Sequence, residues 1–233
     1  MMWTELGNVW FVSMIEEGTY DDTAQDSWWW RGRDLILSRL VDLEGVILDV
    51  GCGNAPHPGT IPVDAHPIVS SFEKGVQADA AKLPFQSDSV DLCLALDLLE
   101  HVKTSGLVVA DFYRVLGPGK RLVITVPAHK WLWGFHDERL GHLRRYTRPE
   151  IRALLEQAGF RVEVLSHFGG LILPGQLFVR RGMQSINGAT DVPGWLDWVL
   201  YQMLAIDAQI VPYVSIPLGS SIIAVARKPS RYH

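Results

Sequence analysis

Short apolar segments that alternate with helical or turn-like segments most constrain how this chain can fold. Four of these segments contain an acidic residue near their end or run directly into one. The segments are residues 46–50, 60–63, 74–78 and 90–96, and the acids are Asp49, Asp64, Asp79 and Asp97. Such alternation is typical of a mostly parallel sheet, in which ligands bind at the carboxyl ends of the strands. We therefore expect the four acids to line one crevice.

The remaining segments complete an α/β pattern. Further strands are predicted at residues 121–126, 161–167 and 220–227. A crossover helix with Phe112 on its apolar face is expected to stop at residues 117–119, which would form a helix-to-strand turn. Other helices are predicted at residues 26–43, from the capping-box pair Thr147 and Glu150 to Gly159, and at residues 171–181 and 193–208.

The length of 233 residues favours one domain. We divide it into a flanking or lid helix (1–44), a core (45–168), a helical insertion (169–219), and a last strand with the tail (220–233). Insertions of this length in a compact domain are usually functional. We therefore expect the insertion to form one wall of a binding site.

Charge and cysteine content narrow the class of protein. The formal net charge is −5, whereas nucleic-acid binding needs a basic face, so we expect no nucleic-acid partner. Cys52 and Cys93 indicate no disulfide framework, which favours the reducing cytoplasm. The N-terminal residues show no secretory pattern. Asp207, Pro212 and Pro217 interrupt the most apolar stretch, so no transmembrane segment is expected, while peripheral membrane contact stays open.

The first predicted strand runs into a loop with glycines at alternate positions, Gly51 and Gly53. Glycine lets a chain turn tightly and approach a ligand closely. Pro56, Pro58 and Gly59 then prevent the helix that usually follows such a loop, so we expect an irregular connection. A dinucleotide site needs that helix end for its pyrophosphate, which weakens the interpretation of the chain as an NAD-dependent oxidoreductase.

Several motifs together resemble the class I S-adenosylmethionine (SAM) dependent methyltransferases, especially the branch related to ubiquinone and menaquinone biosynthesis enzymes. The motifs are Leu48-Asp49-Val50-Gly51-Cys52-Gly53, Asp79 with Leu83-Pro84-Phe85, Val90-Asp91-Leu92, and Leu99-Glu100-His101. The resemblance implies an α/β fold with a Rossmann-like, mostly parallel seven-stranded sheet, an antiparallel final strand and a helical insertion before it. It also implies SAM as cofactor and transfer of its methyl group.

The same resemblance assigns cofactor contacts to ten residues: Asp49, Gly51, Cys52, Gly53, Asp64, Ala65, Asp79, Ala80, Asp97 and Leu98. The glycines would pass beneath the cofactor, and Asp49 would support its amino acid end. Asp64 would bind the ribose hydroxyls, Asp79 and Ala80 the adenine, and Asp97 with Leu98 the methionine part. Local alternatives are a turn before His66-Pro67 for Asp64 and a helix cap for Asp79.

Histidines near the end of the fourth and fifth predicted strands are candidates for catalysis. If the methyl acceptor is a hydroxyl, His136, His142 and His101, in that order, are the candidate bases. The alternatives are a solvated Glu100-His101 pair and a structural loop at residues 131–146 that is rich in salt bridges. We predict no metal, because the spacing of His136, Asp137 and His142 fits no strong ligand motif.

Aromatic and apolar segments bear on the methyl acceptor. Residues 28–33, which begin Trp-Trp-Trp, either shield the SAM sulfonium by cation–π attraction or pack in the core. The apolar stretch 169–216 makes a hydrophobic acceptor plausible, so we expect a small-molecule or lipid-like acceptor. A non-catalytic protein with the SAM-binding fold is the main rival to this interpretation.

Overall fold

A computed structural model describes residues 26–176 and 192–230 of the chain. Its strands are β1 Ile47–Val50, β2 Ile61–Asp64, β3 Val76–Gln77, β4 Val90–Leu96, β5 Leu116–Pro127, β6 Arg161–Phe168 and β7 Ser221–Arg227. They form one sheet in the order β3-β2-β1-β4-β5-β7-β6. The strands β3, β2, β1, β4 and β5 are parallel, and β7 lies antiparallel between β5 and β6. The predicted Rossmann-like fold with an antiparallel final strand is confirmed.

Helices cover both faces of the sheet. They are α1 Trp28–Leu40, α2 Ser105–Val115, α3 Phe135–Arg139, α4 Arg148–Gln157 and α5 Gly194–Ile210. The buried side chains of α2 and α4 share one apolar core, and those of α1 and α5 share the other. No helix in the described part of the chain is long and apolar enough to cross a membrane.

The central strand β4 explains why two cores form. Its side chains alternate between them, since Cys93 and Ala95 lie in the core of α2 and α4, whereas Leu92, Leu94 and Leu96 lie in the core of α1 and α5. A strand buried on both faces needs apolar residues at nearly every position, and residues 90–96 meet this need. The sheet is thereby fixed between two helical layers.

Several predicted boundaries are confirmed and one is wrong. Residues 51–60 contain no helix, and α4 begins with a capping box in which Glu150 Oε2 accepts a hydrogen bond from Thr147 N (2.9 Å). The crossover helix ends at Val115, and residues 117–119 belong to β5 instead of a turn. Backbone pairing explains this, because Gly119 N donates to Lys228 O (2.8 Å). The pairing partner lies far away in the sequence.

The predicted helical insertion is only partly within the described residues. The helix expected at 193–208 is confirmed as α5. Of the helix expected at 171–181, residues 173–176 are helical and the remainder lies outside the described residues. The α5 helix packs beside α1, where Asp197 Oδ1 accepts a hydrogen bond from Trp28 N (2.7 Å). The beginnings of α1 and α5 therefore lie together.

Candidate functional site

Four acids lie at or just beyond the carboxyl ends of neighbouring parallel strands, as the sequence predicts. Asp49 is next to last in β1, Asp64 ends β2, Asp79 lies beyond β3, and Asp97 directly follows β4. Because these strands are parallel, their carboxyl ends meet at one edge of the sheet. We call this edge the carboxyl edge. Ligands of open α/β sheets bind there.

The glycine loop after β1 has the backbone that a close ligand approach requires. Gly51 has φ of 77° and Gly53 has φ of 58°, in the region that favours glycine. A Cβ on Gly51 would lie 2.6 Å from Leu98 Cδ1, whereas one on Gly53 would meet nothing within 4 Å. The loop is therefore packed on the protein at Gly51 and open at Gly53.

Cys52 lies between these glycines and is half-buried. Burial raises the pKa of its thiol, and the negative charges of Asp49 and Asp64 raise it further. A protonated thiol is a poor nucleophile. Cys52 can therefore contribute backbone and shape to the site but no covalent chemistry.

Asp49 and Asp64 hold the irregular connection in place. Asp49 Oδ2 accepts a hydrogen bond from His57 N (2.8 Å), and burial raises the pKa of its carboxyl group. Asp64 Oδ2 accepts from Gly53 N (2.9 Å), and its Oδ1 accepts from His66 N (2.8 Å). The Asp64 residue is only 3% exposed. Both carboxylate oxygens accept hydrogen bonds from the backbone, so the Asp64 side chain also stabilises the loop.

The adenine candidates make local contacts of their own. Asp79 Oδ1 accepts a hydrogen bond from Ala81 N (2.8 Å), which is the capping contact weighed above. The side chains of Ala80 and Leu98 are buried in the core shared with α2, so only their backbone can face a ligand. Ala65 is half-buried, and its carbonyl accepts from Gln77 Nε2 (3.0 Å).

Asp97 is fixed by two partners that the sequence gave no reason to connect with it. Arg33 Nη1 of α1 donates to Asp97 Oδ2 (3.1 Å), and Thr125 Oγ1 of β5 donates to Oδ1 (3.0 Å). The Asp97 side chain keeps 29% exposure, and its backbone has φ of 59°. A carboxylate oriented by a buried guanidinium and still partly exposed can receive a cationic group, such as the amino group of an amino acid.

The tryptophans at the start of α1 pack inside the protein. Trp28 is buried in the core with α5, and Trp29 stacks on Phe168 at a centroid distance of 5.4 Å. Arg33 Cζ lies 4.2 Å from the centre of the Trp30 ring. Trp28 therefore packs in the core, which is one of the two roles expected for residues 28–33. The Trp30 ring faces a cation of the protein itself, the Arg33 guanidinium.

The turn after Asp97 brings Glu100 and two histidines together. Glu100 is only 1% exposed, so the idea of a solvated Glu100-His101 pair is wrong for the carboxyl group. Burial raises the pKa of Glu100 well above its usual value, and the charge of Asp97 adds to this. The rings of His101 and His142 lie 4.9 Å apart, and burial, followed by His142, lowers the pKa of His101 to about 4.

A buried carboxylate orients the second of these histidines. Asp137 Oδ1 lies 2.9 Å from His142 Nδ1, and Arg145 donates to both Asp137 oxygens (2.7 and 3.0 Å). Burial alone would raise the pKa of Asp137, but the hydrogen bonds from His142 and Arg145 lower it to about 2. The loop at 131–146 is thus held by salt bridges, which agrees with the structural role weighed for it in the sequence analysis. The same contacts orient His142. His136 is exposed and lies outside this group.

The residues at the carboxyl edge fit SAM. The open face of the Gly53 loop and the oriented Asp97 carboxylate can receive a nucleoside and an amino acid, respectively. SAM carries no phosphate, so the missing helix after β1 does not count against it. The same missing helix leaves no N-terminus for a pyrophosphate.

Comparison with known proteins decides the family. The sequence matches the family described as a methyltransferase domain over residues 31–165. The chain belongs to this methyltransferase family. Its enzymatic class is SAM-dependent methyltransferase, and its cofactor is SAM.

Relatives of this methyltransferase cover nearly its whole length. A Mycolicibacterium smegmatis protein named "Probable S-adenosylmethionine-dependent methyltransferase" is 25% identical over 94% of this chain and 96% of its own. A chain from the complex between the Haloferax volcanii Trm112 methyltransferase activator and a methyltransferase has a TM-score of 0.59 at 18% identity, covering 91% of this chain and 94% of its own.

A solved ligand complex has the same fold. Haemonchus contortus phosphoethanolamine N-methyltransferase 2, with phosphomonomethylethanolamine and S-adenosylhomocysteine, has a TM-score of 0.59 at 15% identity. The matched region covers 97% of this chain but only 61% of the Haemonchus contortus protein, which is longer.

A comparison of two glycines separates the effect of close packing at Gly51 from the effect of its left-handed backbone conformation. We expect Gly51→Ala to lower the free energy of unfolding by about 1–3 kcal/mol more than Gly59→Ala, because overpacking adds to backbone strain. Gly59 is a matched control, since its φ is 79° and a Cβ there would meet nothing within 4 Å. Urea denaturation measures both variants. Equal losses would contradict the close packing of Gly51 on Leu98.

Proposed function

We propose that this methyltransferase transfers the SAM methyl group to a small hydrophobic or lipid-like acceptor that binds at the carboxyl edge. The supporting observation is a set of exposed aromatic side chains on the loop that follows β5 and at the beginning of α5. Apolar ring faces favour apolar or flat ligands and exclude water. Alignment of donor and acceptor in a dry site accounts for much of the rate of a direct methyl transfer.

The ring contacts form two separate groups. The Trp131 ring lies 5.3 Å from that of His129, and His129 stacks on His167 at 4.8 Å. Trp29 stacks on Phe168 in the core of α1 and α5, and successive strand residues such as His167 and Phe168 point to opposite faces of the sheet. The exposed aromatic side chains are Trp131, Trp133 and Phe135 on the loop at 131–146, and Trp195 and Trp198 at the beginning of α5. This arrangement supports the role of the insertion 169–219 as an acceptor wall.

The proposed cofactor contacts follow the positions along the carboxyl edge. The loop Gly51-Cys52-Gly53 passes beneath the cofactor, Asp49 supports its amino acid end, and Asp97 with Leu98 lies near the methionine part. Asp64 and Ala65 face the ribose, and Asp79 and Ala80 face the adenine. Asp64 would then accept from the ribose hydroxyls with lone pairs that the hydrogen bonds from Gly53 and His66 leave unused.

Geometry changes the proposed order of the candidate bases. His142 is oriented by an ionised carboxylate, which is the usual arrangement of a base and its orienting group. His101 packs against it, whereas His136 is exposed. We therefore place His142 before His101 and His136 when the acceptor atom is a hydroxyl.

Other parts of the proposal rest on sequence. The motifs at residues 48–53 and 99–101 favour the branch related to ubiquinone and menaquinone biosynthesis enzymes. We also propose a single domain, a cytoplasmic location, and no nucleic-acid partner. Peripheral membrane contact would fit a lipid-like acceptor.

The acceptor class can be tested with SAM that carries a radiolabelled methyl group. We expect that incubation with a bacterial extract transfers label into the fraction soluble in organic solvent, because the exposed aromatic side chains favour apolar ligands. Scintillation counting after extraction measures the label. Label found instead in RNA, protein or the polar small-molecule fraction would contradict the proposed acceptor, and heat-inactivated protein provides the control.

Asp64 tests the cofactor assignment. We expect Asp64→Ala to weaken SAM binding roughly ten- to a hundredfold, because each charge-assisted hydrogen bond is worth about 1.5–3 kcal/mol and water replaces part of it. It should also lower the melting temperature, since Gly53 N and His66 N lose their acceptor. Asp64→Asn keeps one acceptor oxygen, so smaller effects are expected. Wild-type SAM affinity for folded Asp64→Ala, measured by calorimetry, would place the ribose elsewhere.

His142 tests the acceptor side. We expect His142→Ala to lower kcat about a hundredfold, the lower end of the range for a general base, and to leave the SAM dissociation constant within about threefold. His136→Ala should lower kcat less, because His136 lies outside the oriented group. Single-turnover kinetics and calorimetry give the two quantities. A larger loss for His136→Ala would restore the order expected from sequence.

A further inference from the structure

Three side chains beside the proposed acceptor position form a ligand set that methyl transfer does not itself require. They are Glu100 and His101 of the turn after β4, and His142 of the loop at 131–146. One potential ligand atom from each lies within 4.8 Å of those from the other two. The backbone joins the two segments, because Leu143 N donates to Glu100 O (2.8 Å).

The buried Glu100 carboxyl group lacks hydrogen bonds to other described residues. Neither of its oxygens has a partner in another residue among residues 26–176 and 192–230, and the backbone hydrogen bond that acts on the group comes from Glu100 itself. A buried carboxyl group without partners costs free energy, and buried polar groups in folded proteins are nearly always paired. The carboxylate thus points to a ligand that lies between it and the histidines.

Each histidine has an outer partner that leaves one ring nitrogen for such a ligand. Nδ1 of His142 is held by Asp137, which is itself held by Arg145. A backbone hydrogen bond with Gly141 acts on the His101 ring. Metal-binding histidines are oriented in this way, with the second nitrogen bonded to a carboxylate or a carbonyl.

We propose that Glu100, His101 and His142 bind one divalent transition-metal ion of the zinc type. Two imidazoles and one carboxylate suit Zn²⁺ and its neighbours, whereas Mg²⁺ and Ca²⁺ prefer oxygen ligands. Ligand atoms at about 2.0–2.2 Å from a zinc ion lie roughly 3–4 Å apart, so small side-chain rotations close the set.

Three protein ligands leave further coordination positions open, as in catalytic zinc sites. At such a position the ion could bind an acceptor oxygen. With the ion bound, His142 is a ligand and the ion would lower the pKa of an acceptor hydroxyl, so the role of His142 as a base proposed above applies to the protein without the ion. This inference goes beyond the proposed function, since binding of the ion requires neither SAM nor an acceptor.

The experiment uses untagged, full-length protein that has been treated with a chelator and dialysed. We expect calorimetry and native mass spectrometry to find one Zn²⁺ per chain, and Mg²⁺ to bind at least a hundredfold more weakly. Glu100→Gln and His142→Ala should each lower the Zn²⁺ affinity at least tenfold. His136→Ala is the matched control and should bind Zn²⁺ as the wild type does, because it lies on the same loop outside the set.

Measurements of folding keep the test decisive. SAM affinity and circular dichroism identify variants that remain folded, and Co²⁺ absorption spectra give a second readout on the wild type alone, where intense visible bands displaced by Zn²⁺ are expected. The proposal is overturned if the wild type binds no Zn²⁺, if folded Glu100→Gln and His142→Ala both bind it as the wild type does, or if Mg²⁺ binds as tightly. A failure to bind Zn²⁺ would not affect the radiolabel experiment, which tests the proposed acceptor class separately.

Discussion

The buried carboxylate of Asp137 is the contact on which the loop at 131–146 depends. It receives two hydrogen bonds from Arg145, one from Gly134 N and one contact from His142, and it is fully buried. A single buried charge with several donors is stable only when all of them are in place, because an incomplete set leaves a desolvated charge. Arg145 extends the network to the end of β5 by donating to Ala128 O (3.0 Å). The conformation of the whole loop at 131–146 is thereby tied to the sheet.

The acids at the carboxyl edge have a different structural role. Asp49 and Asp64 accept hydrogen bonds from the backbone of the irregular connection that takes the place of a helix, so part of their hydrogen-bonding capacity stabilises this loop. Asp97 is held from two other elements, α1 and β5, and keeps an exposed surface. Preorganised groups lose little entropy when a ligand binds. Rigidity at this edge thus comes from side chain to backbone contacts in place of a helix N-terminus.

Local signals in the sequence account for most of what could be predicted. The strands, the glycine loop, the prolines that exclude a helix, and the capping box of α4 act over a few residues, and each was identified from the sequence. Contacts between distant residues could not be identified in this way. The residues of the ion pair between Arg33 and Asp97 are 64 positions apart. The backbone pairing of Gly119 with Lys228 places the beginning of β5 earlier in the chain than the sequence predicted. The sequence brought Glu100 together with its neighbour His101 but not with His142, since only the folded loop places His142 beside it.

The position of the final strand has a consequence for synthesis on the ribosome. Because β7 lies between β5 and β6, those two strands have no direct pairing with each other in the sheet, and each exposes an unpaired edge until residue 227 has left the exit tunnel. Unpaired edges are sites of association between nascent chains. At roughly 5–20 residues per second, the stretch between β6 and β7 delays closure by several seconds. The strand order therefore leaves two edges open to association during translation, independently of the chemistry at the carboxyl edge.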